Sequence, residues 1–207
     1  AFDPNGSYAQ VYWQQGVDRA FAVALLGWSL TDDRFFTALD LAAASGLEIR
    51  FGVRPLARPD HPNTVEIAMR AADGRTLTAC ARSIGGGAVE VLDVEGWPVR
   101  LTGYTFEVLV DAPRGAVDAA VAALGADGQL AGVPETRERG DRVLVDARRL
   151  EPIGAPTRAA LEALGGDVVV REAPPVAFVK RGSQLFQSSA EMLALAGLTW
   201  RRRETDS

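Results

Sequence analysis

Turn signals at short intervals confine residues 47–101 to strands. Asp73-Gly74, Gly85-Gly86-Gly87 and Glu95-Gly96 divide this stretch into pieces too short for stable helices. Between them, Thr64–Met69, Thr76–Ile84, Ala88–Val94 and Trp97–Leu101 alternate or are β-rich, and Leu47–Val53 reads the same way. The segment before them has helical spacing. Phe21, Ala22, Val23, Leu25 and Leu26 follow Asp18-Arg19. Phe35, Phe36, Leu39 and Ala43 recur at three- and four-residue intervals after Thr31-Asp32-Asp33, where Thr31 or Asp32 can cap the helix start. Ser45-Gly46 stops this second helix, because glycine tolerates the left-handed cap conformation. The expectation is an α+β layer, with helices first and an antiparallel meander after them.

A second block has another order. Tyr104–Val110 reads as a strand and Gly115–Leu124 as a helix. Leu130–Arg137 and Arg142–Val145 read as strands, Pro156–Leu164 as a helix ending at Gly165-Gly166, and Val168–Arg171 and Val176–Val179 as short strands split by Pro174-Pro175. The order is βαββαβ, the ferredoxin-like pattern shared by many unrelated folds. Such modules often dimerise edge to edge, so a homodimer is expected. A short helix from Ala190 to Ala196, capped by Ser188 or Ser189, and the run Arg201-Arg202-Arg203 form a tail. That run is either a solvated end or a docking point for an acidic partner.

Composition excludes several function classes. Acidic residues number 27 against 22 basic ones. This balance argues against a nucleic-acid partner, whose binding begins with neutralising phosphates. Ala20–Leu26, with Trp28 just beyond, is the most apolar stretch. It is far short of the roughly 20 residues that cross a bilayer, so no membrane partner is expected. Cys80 is the single cysteine and His61 the single histidine. The chain can therefore hold neither an internal disulfide, nor an iron–sulfur cluster by itself, nor a multi-histidine zinc site. Low cysteine in an acidic chain points to a reducing cytoplasm. A start at Ala1-Phe2-Asp3-Pro4, without an initiator Met, is expected of a chain with sequence missing before it.

Three segments could carry chemistry. In Asp60-His61-Pro62-Asn63-Thr64, the proline favours an extended His61. The imidazole and the Asn63 carboxamide, two residues apart, could then hold a small carboxylate from one side. The alternative is a loop histidine capping local backbone. In Arg82-Ser83-Ile84-Gly85-Gly86-Gly87, consecutive N–H groups could form an anion-binding concavity, or the glycines could mark a plain bulge. In Asp111-Ala112-Pro113-Arg114-Gly115, Gly115 could expose N–H groups at a helix start, or the segment could be a connecting turn. Cys80, within a strand, reads as a small buried hydrophobe.

Together these segments resemble the β chain of the iron–sulfur-dependent L-serine dehydratases (L-serine ammonia-lyases). Asn5-Gly6-Ser7-Tyr8-Ala9 is similar to the family's HGS-F/L-A motif. Gln15-Gly16-Val17-Asp18-Arg19-Ala20 with Leu25-Leu26-Gly27 is similar to GHGTD-K/R-A…GLLG. Thr31-Asp32-Asp33 and Ser45-Gly46-Leu47 also match, His61-Pro62-Asn63-Thr64 matches HPNT, and Ser83-Ile84-Gly85-Gly86-Gly87 matches SIGGG. The resemblance covers residues 6–102 well and thins beyond.

The resemblance implies a lyase that converts L-serine to pyruvate and ammonia, with a [4Fe–4S] cluster on a partner α chain. It implies an allosteric substrate-binding domain over residues 1–102, helices packed on an antiparallel sheet. An ACT-like ferredoxin-like domain over 103–181 and a helical tail or linker toward the catalytic chain over 182–207 would follow. The effector, L-serine or a related small carboxylate, would bind at His61, Asn63, Thr64, Ser83, Gly85, Gly86 and Gly87. Asp111 and Gly115 would form an ACT ligand loop, though the turn is one residue longer than the family's. Asn5 and Gln15 replace family histidines and Val17 replaces the family threonine, so the resemblance assigns no catalytic residue to this chain. The chain would then be a regulatory subunit, inactive alone. A stand-alone amino-acid-sensing module or a degenerate paralogue without catalytic role is the alternative.

Overall fold

The structure is a computed structural model that describes residues 1–165, 167–176 and 189–195. It divides into a unit over Ala1–Val176 and a second over Ala177–Ser207. Of the second unit, the described part is one helix, Ser189–Leu195. The Ser188 cap, Gly166, the arginine run and residues 177–179 of the expected last strand lie outside the described residues.

The first unit is α+β and contains two antiparallel four-stranded sheets. Its helices α1 (Ser7–Val11), α2 (Val17–Leu25) and α3 (Ala38–Ala44) come first. A 3-10 turn over Asp33–Thr37 leads into α3, and the Asp32 carboxylate caps it by accepting the Arg34 backbone N–H at 2.9 Å. Ala22 and Val23 of α2 bury against Ala38 and Ala42 of α3, with Phe35, Leu39, Leu47 and Ile49 around them.

The first sheet has the order β1 (Thr64–Arg70), β2 (Thr76–Gly85), β3 (Ala88–Val94), β4 (Trp97–Leu101), as the meander predicts. The expected strand Leu47–Val53 is absent. Leu47 and Ile49 pack on the helices instead, and Val53 makes one isolated bridge, to Phe2. The alternation there is real, but the apolar partners are helices, and no strand lies alongside to extend a ladder. Phe2 takes the sheet-edge role. Its N–H donates to the Gly52 carbonyl at 2.9 Å, its carbonyl accepts from Arg54 N–H at 3.0 Å, and it bridges Val65 on its other side. Its ring is 1% exposed and stacks on Tyr12 at 5.0 Å.

The second sheet comprises β5 (Phe106–Pro113), β6 (Glu135–Arg139), β7 (Arg142–Arg149) and β8 (Val169–Ala173), in the order β6-β7-β5-β8. Helices α4 (Val117–Gly125) and α5 (Ala155–Glu162) cover one face. Val108, Val110 and Ala112 of β5 and Val145 and Ala147 of β7 meet Ala120, Leu124 and Leu161 there. The βαββαβ connectivity is the one read from the sequence. Strand β6 starts at Glu135, later than expected, and Leu130 makes only an isolated bridge to Arg149. Val176 is in no strand; its N–H donates to the Gly103 carbonyl at 2.9 Å.

The other face of the second sheet packs on the first. Val94, Trp97, Val99 and Leu101 form one cluster with Leu109 and Leu144. Alternation puts successive strand residues on opposite faces, so Leu109 and Leu144 face away from the helices that bury Val108 and Val145. The apolar face of the first sheet is thus shared. Its β1–β2 side holds Phe2 and α1, and its β3–β4 side holds the second sheet.

Candidate functional site

Asp3, Asn5 and Gly6 and the loop before β1 build an open cleft of 290 Å³, which Pro59, Asp60, His61 and Pro62 line with them. Asp3 is 5% exposed and organises one wall. Its carboxylate accepts backbone N–H groups from Asn5 at 2.9 Å and from Leu56 at 3.1 Å, and its carbonyl accepts Gly6 N–H at 2.9 Å. The N–H donors of Leu56 and then Asn5 hold the Asp3 carboxyl below the usual carboxylate range.

The Asn5-Gly6-Ser7 and His61-Pro62-Asn63 segments, 50-odd residues apart, meet backbone to backbone. Ser7 N–H donates to the Pro62 carbonyl at 2.8 Å. A Cβ on Gly6 would lie 2.6 Å from that oxygen and 3.2 Å from the Asp3 carbonyl. Neither is a side-chain end that could swing away. Gly6→Ala is therefore expected to cost about 1–3 kcal/mol and to open the cleft. Thermal unfolding of the variant checks this, and an unchanged midpoint would refute it.

His61 opens a turn. Residues 61–64 form a turn in which the His61 carbonyl accepts Thr64 N–H at 3.0 Å and Thr64 Oγ1–H at 2.8 Å. The ring Nδ1 accepts Asn63 N–H at 3.1 Å. In the neutral ring this places the proton on Nε2, which is left as a donor. Proline at the second position favours such a turn, and the Nδ1 contact closes it. Asn63 Nδ2 donates to the Ser83 carbonyl at 3.4 Å, and Ser83 N–H donates to the Asn63 carbonyl at 3.3 Å. Asn63 is thus tied to β2 rather than exposed beside His61.

A ladder of charges fixes the loop from below. Arg82 bridges Asp60 at 3.0 Å and Glu90 at 2.7 Å, and Arg100 reaches Glu90 at 3.1 Å. Glu90 is 5% exposed, and hydrogen bonds from Arg82 and then Arg100 hold its carboxyl below the usual range. Asp60 therefore enters the cleft wall already paired.

The other sequence candidates lie elsewhere. Gly85 pairs with Ala88, and Gly86 and Gly87 form the two-residue turn of the β2–β3 hairpin, at φ 61° and 79°. Two consecutive positive φ values are what a turn of this hand requires. A register shift between Ser83 and Gly85 supplies a bulge beside it. These glycines are exposed and are not among the cleft-lining residues. Asp111 lies within β5, not in a turn. It accepts Trp97 Nε1–H at 3.0 Å and Arg142 Nε–H at 2.6 Å, with both oxygens engaged at the packing of the two sheets. Gly115 sits in a 3-10 turn before α4.

Asp3, Asn5, Gly6 and Pro59 are the lining residues outside the segments read for chemistry, and Asp60 heads the His61 segment. The signal for Asn5 and Gly6 was present in the Asn5-Gly6-Ser7 motif, whose glycine is the point of contact. Cys80 is half-buried between strand neighbours Glu66 and Asp93. Burial first, and then the nearby carboxylates, push its thiol up. The cleft offers hydrogen-bond donors and acceptors around one imidazole, an arrangement suited to holding a small polar molecule.

No family model matches the chain. The chain is 32% identical over 113 residues to the "L-serine dehydratase, beta chain" of Peptoniphilus asaccharolyticus, covering 55% of this chain and 51% of that protein. It is 38% identical over 105 residues to the "Probable L-serine dehydratase, beta chain" of Bacillus subtilis (strain 168), covering 51% and 47%. The chain is similar to L-serine dehydratase β chains. It spans about half the length of the curated relatives it matches. The resemblance read from the motifs and the similarity over aligned sequence thus name the same type of chain.

The residues present do not fit a [4Fe–4S] cluster. One half-buried, poorly acidic thiol cannot replace the three or four thiolates such a cluster takes. Among the described residues no group of three or more His, Cys, Asp and Glu side chains could hold a metal ion. No described helix is long and apolar enough to cross a membrane.

Proposed function

We propose that this chain is the regulatory β-type subunit of an L-serine dehydratase. It binds L-serine or a related small carboxylate in the cleft at His61 and docks on a partner α chain that carries the cluster. The observation that carries the reading is the meeting of Asn5-Gly6-Ser7 with His61-Pro62-Asn63 at the cleft wall. In this reading His61 Nε2–H donates to the effector's carboxylate and Asn63 holds the turn against β2. Residues 1–102 act as the effector-binding domain, and the βαββαβ module acts as an ACT-like companion. The chain contributes binding rather than a catalytic group. Asn5 and Gln15, in place of family histidines, favour the same division. They also support a second reading, a stand-alone amino-acid-sensing module.

Calorimetry with L-serine on the whole chain tests the site. His61→Ala is expected to weaken binding about tenfold, the loss of one hydrogen bond to a charged group. Asn63→Ala is expected to weaken it by less, since Asn63 acts through the turn. Equal affinity in wild type and His61→Ala would refute the assignment. An anaerobic pyruvate assay with the cluster-bearing chain separates the two functional readings. Serine-dependent activation only in the mixture supports the subunit. Serine binding with no effect on any such partner supports the sensor.

A further inference from the structure

The packing between the two sheets holds a carboxyl group that the proposed function does not use. Glu107 in β5 is 2% exposed. It lies two residues before Leu109, so alternation turns it toward the first sheet. Its Oε1 accepts a long hydrogen bond from Thr105 Oγ1 at 3.5 Å, and its Oε2 is buried with no hydrogen-bond partner among the described residues. A buried carboxylate left in this state is costly, whereas a neutral carboxyl is tolerated.

The surroundings favour the neutral form. From β7, Arg148 lies opposite Glu107 in the register, and Asp146 lies two positions along. Arg148 is drawn away to Glu135 of β6 at 2.8 Å, and Arg137 of β6 is spent on Asp146 at 3.0 Å and Glu135 at 2.9 Å. From β8, the residue opposite is the uncharged Ala173. Arg171, the nearest charge on that strand's facing side, pairs with Glu95 at 3.7 Å. From the crossing between β4 and β5 come the uncharged Thr105 hydroxyl and the Thr102 N–H. Burial first, and then the Asp146 charge, push Glu107 up to about 7; Arg148 and the Thr102 N–H oppose this by less.

We propose that Glu107 is a proton-linked latch on the joint between the two sheets, closing it when neutral and loosening it when ionised. The sign follows from linkage. The closed state holds a proton that an opened, solvated Glu107 would release, so the joint weakens as pH rises from the ordinary carboxylate range and levels off above the buried value. The switching zone therefore runs from the ordinary carboxylate range up to about 7 and closes there.

Hydrogen exchange of the intact chain tests this, read on residues 97–110 and corrected for the intrinsic pH dependence of exchange. The opening constant of the wild type is expected to rise roughly fivefold between pH 6 and 7, the span a single linked proton permits. Glu107→Gln, which keeps the shape and cannot ionise, is expected to remove that rise and to be better protected at pH 8. An equal rise in Glu107→Gln overturns the latch. Should Glu107→Gln fail to fold, infrared spectroscopy of the wild type decides. A protonated buried carboxyl band present at pH 6 and lost by pH 8 supports the proposal, and its absence at pH 6 overturns it.

Discussion

Trp97→Ala is expected to destabilise the first unit by about 3–5 kcal/mol, the range for removing a large aromatic from a packed core. Trp97 is 2% exposed and sits where the two sheets meet. Its indole packs in the cluster with Val94, Val99, Leu101, Leu109 and Leu144. Its N–H donates to Asp111 at 3.0 Å, and the Arg139 guanidinium lies 4.1 Å over its ring. No neighbour is placed to collapse into the space, because β4 and β5 are each held in their own sheets. Urea unfolding followed by circular dichroism measures the loss. Trp97→Phe separates packing from polarity: it keeps most of the buried area and forfeits the hydrogen bond, for about 1–2 kcal/mol. A cost below about 1 kcal/mol for Trp97→Ala would mean that the sheets are not joined through this residue.

Arg149→Met is expected to cost about 2–4 kcal/mol, although methionine fills much of the same volume. Arg149 is completely buried at the end of β7. Its guanidinium donates to the Leu124 carbonyl near the end of α4, to Asp127 at 2.5 Å and to the Glu151 carbonyl at 3.3 Å. One side chain thus ties together a helix C-terminus, a carboxylate and a loop carbonyl, and of these the Leu124 carbonyl is buried with it. Removing one partner of such a set costs more than the set adds, because the buried Leu124 carbonyl stays in place unpaired and Asp127 loses its ion pair. The figure is held below the fully buried range because Asp127 is partly in water. Arg149 holds the Asp127 carboxyl below its ordinary range. That contribution is present above the ordinary carboxylate range and is lost as pH falls through the lowered value. Arg149→Met should therefore cost less near pH 3 than at pH 7, and a larger cost at acid pH would contradict the assignment.

Much of the fold is legible because local chemistry and tertiary structure agree. Asp73-Gly74 and Glu95-Gly96 turn the chain where strands end, and Asp32 caps where a helix begins. Alternation in β4 separates Trp97, Val99 and Leu101 from exposed Pro98 and Arg100. Legibility fails where a pattern has two readings. Leu47–Val53 alternates in the manner of a strand, yet its apolar residues serve helices. Asp111 precedes Pro113 and has the look of a loop residue, yet it lies inside a strand. The His61 segment is visible from its residue types, but its turn is fixed by the Nδ1 contact to Asn63 N–H, which no spacing rule encodes.

The sequence by itself determined the α+β class, the β1–β4 meander with its turns, and the βαββαβ order of the second block. These depend on side-chain period and on backbone freedom a few residues apart. It also determined that no cluster could be held by one cysteine. Only the tertiary structure decided that Phe2 completes a sheet edge, that Asn5-Gly6-Ser7 closes against Pro62, and that one sheet covers the other with Glu107 between them. Each is a contact between segments far apart in the chain. Its existence depends on shape, burial and unsatisfied hydrogen bonds, which arise only once the sheets have packed.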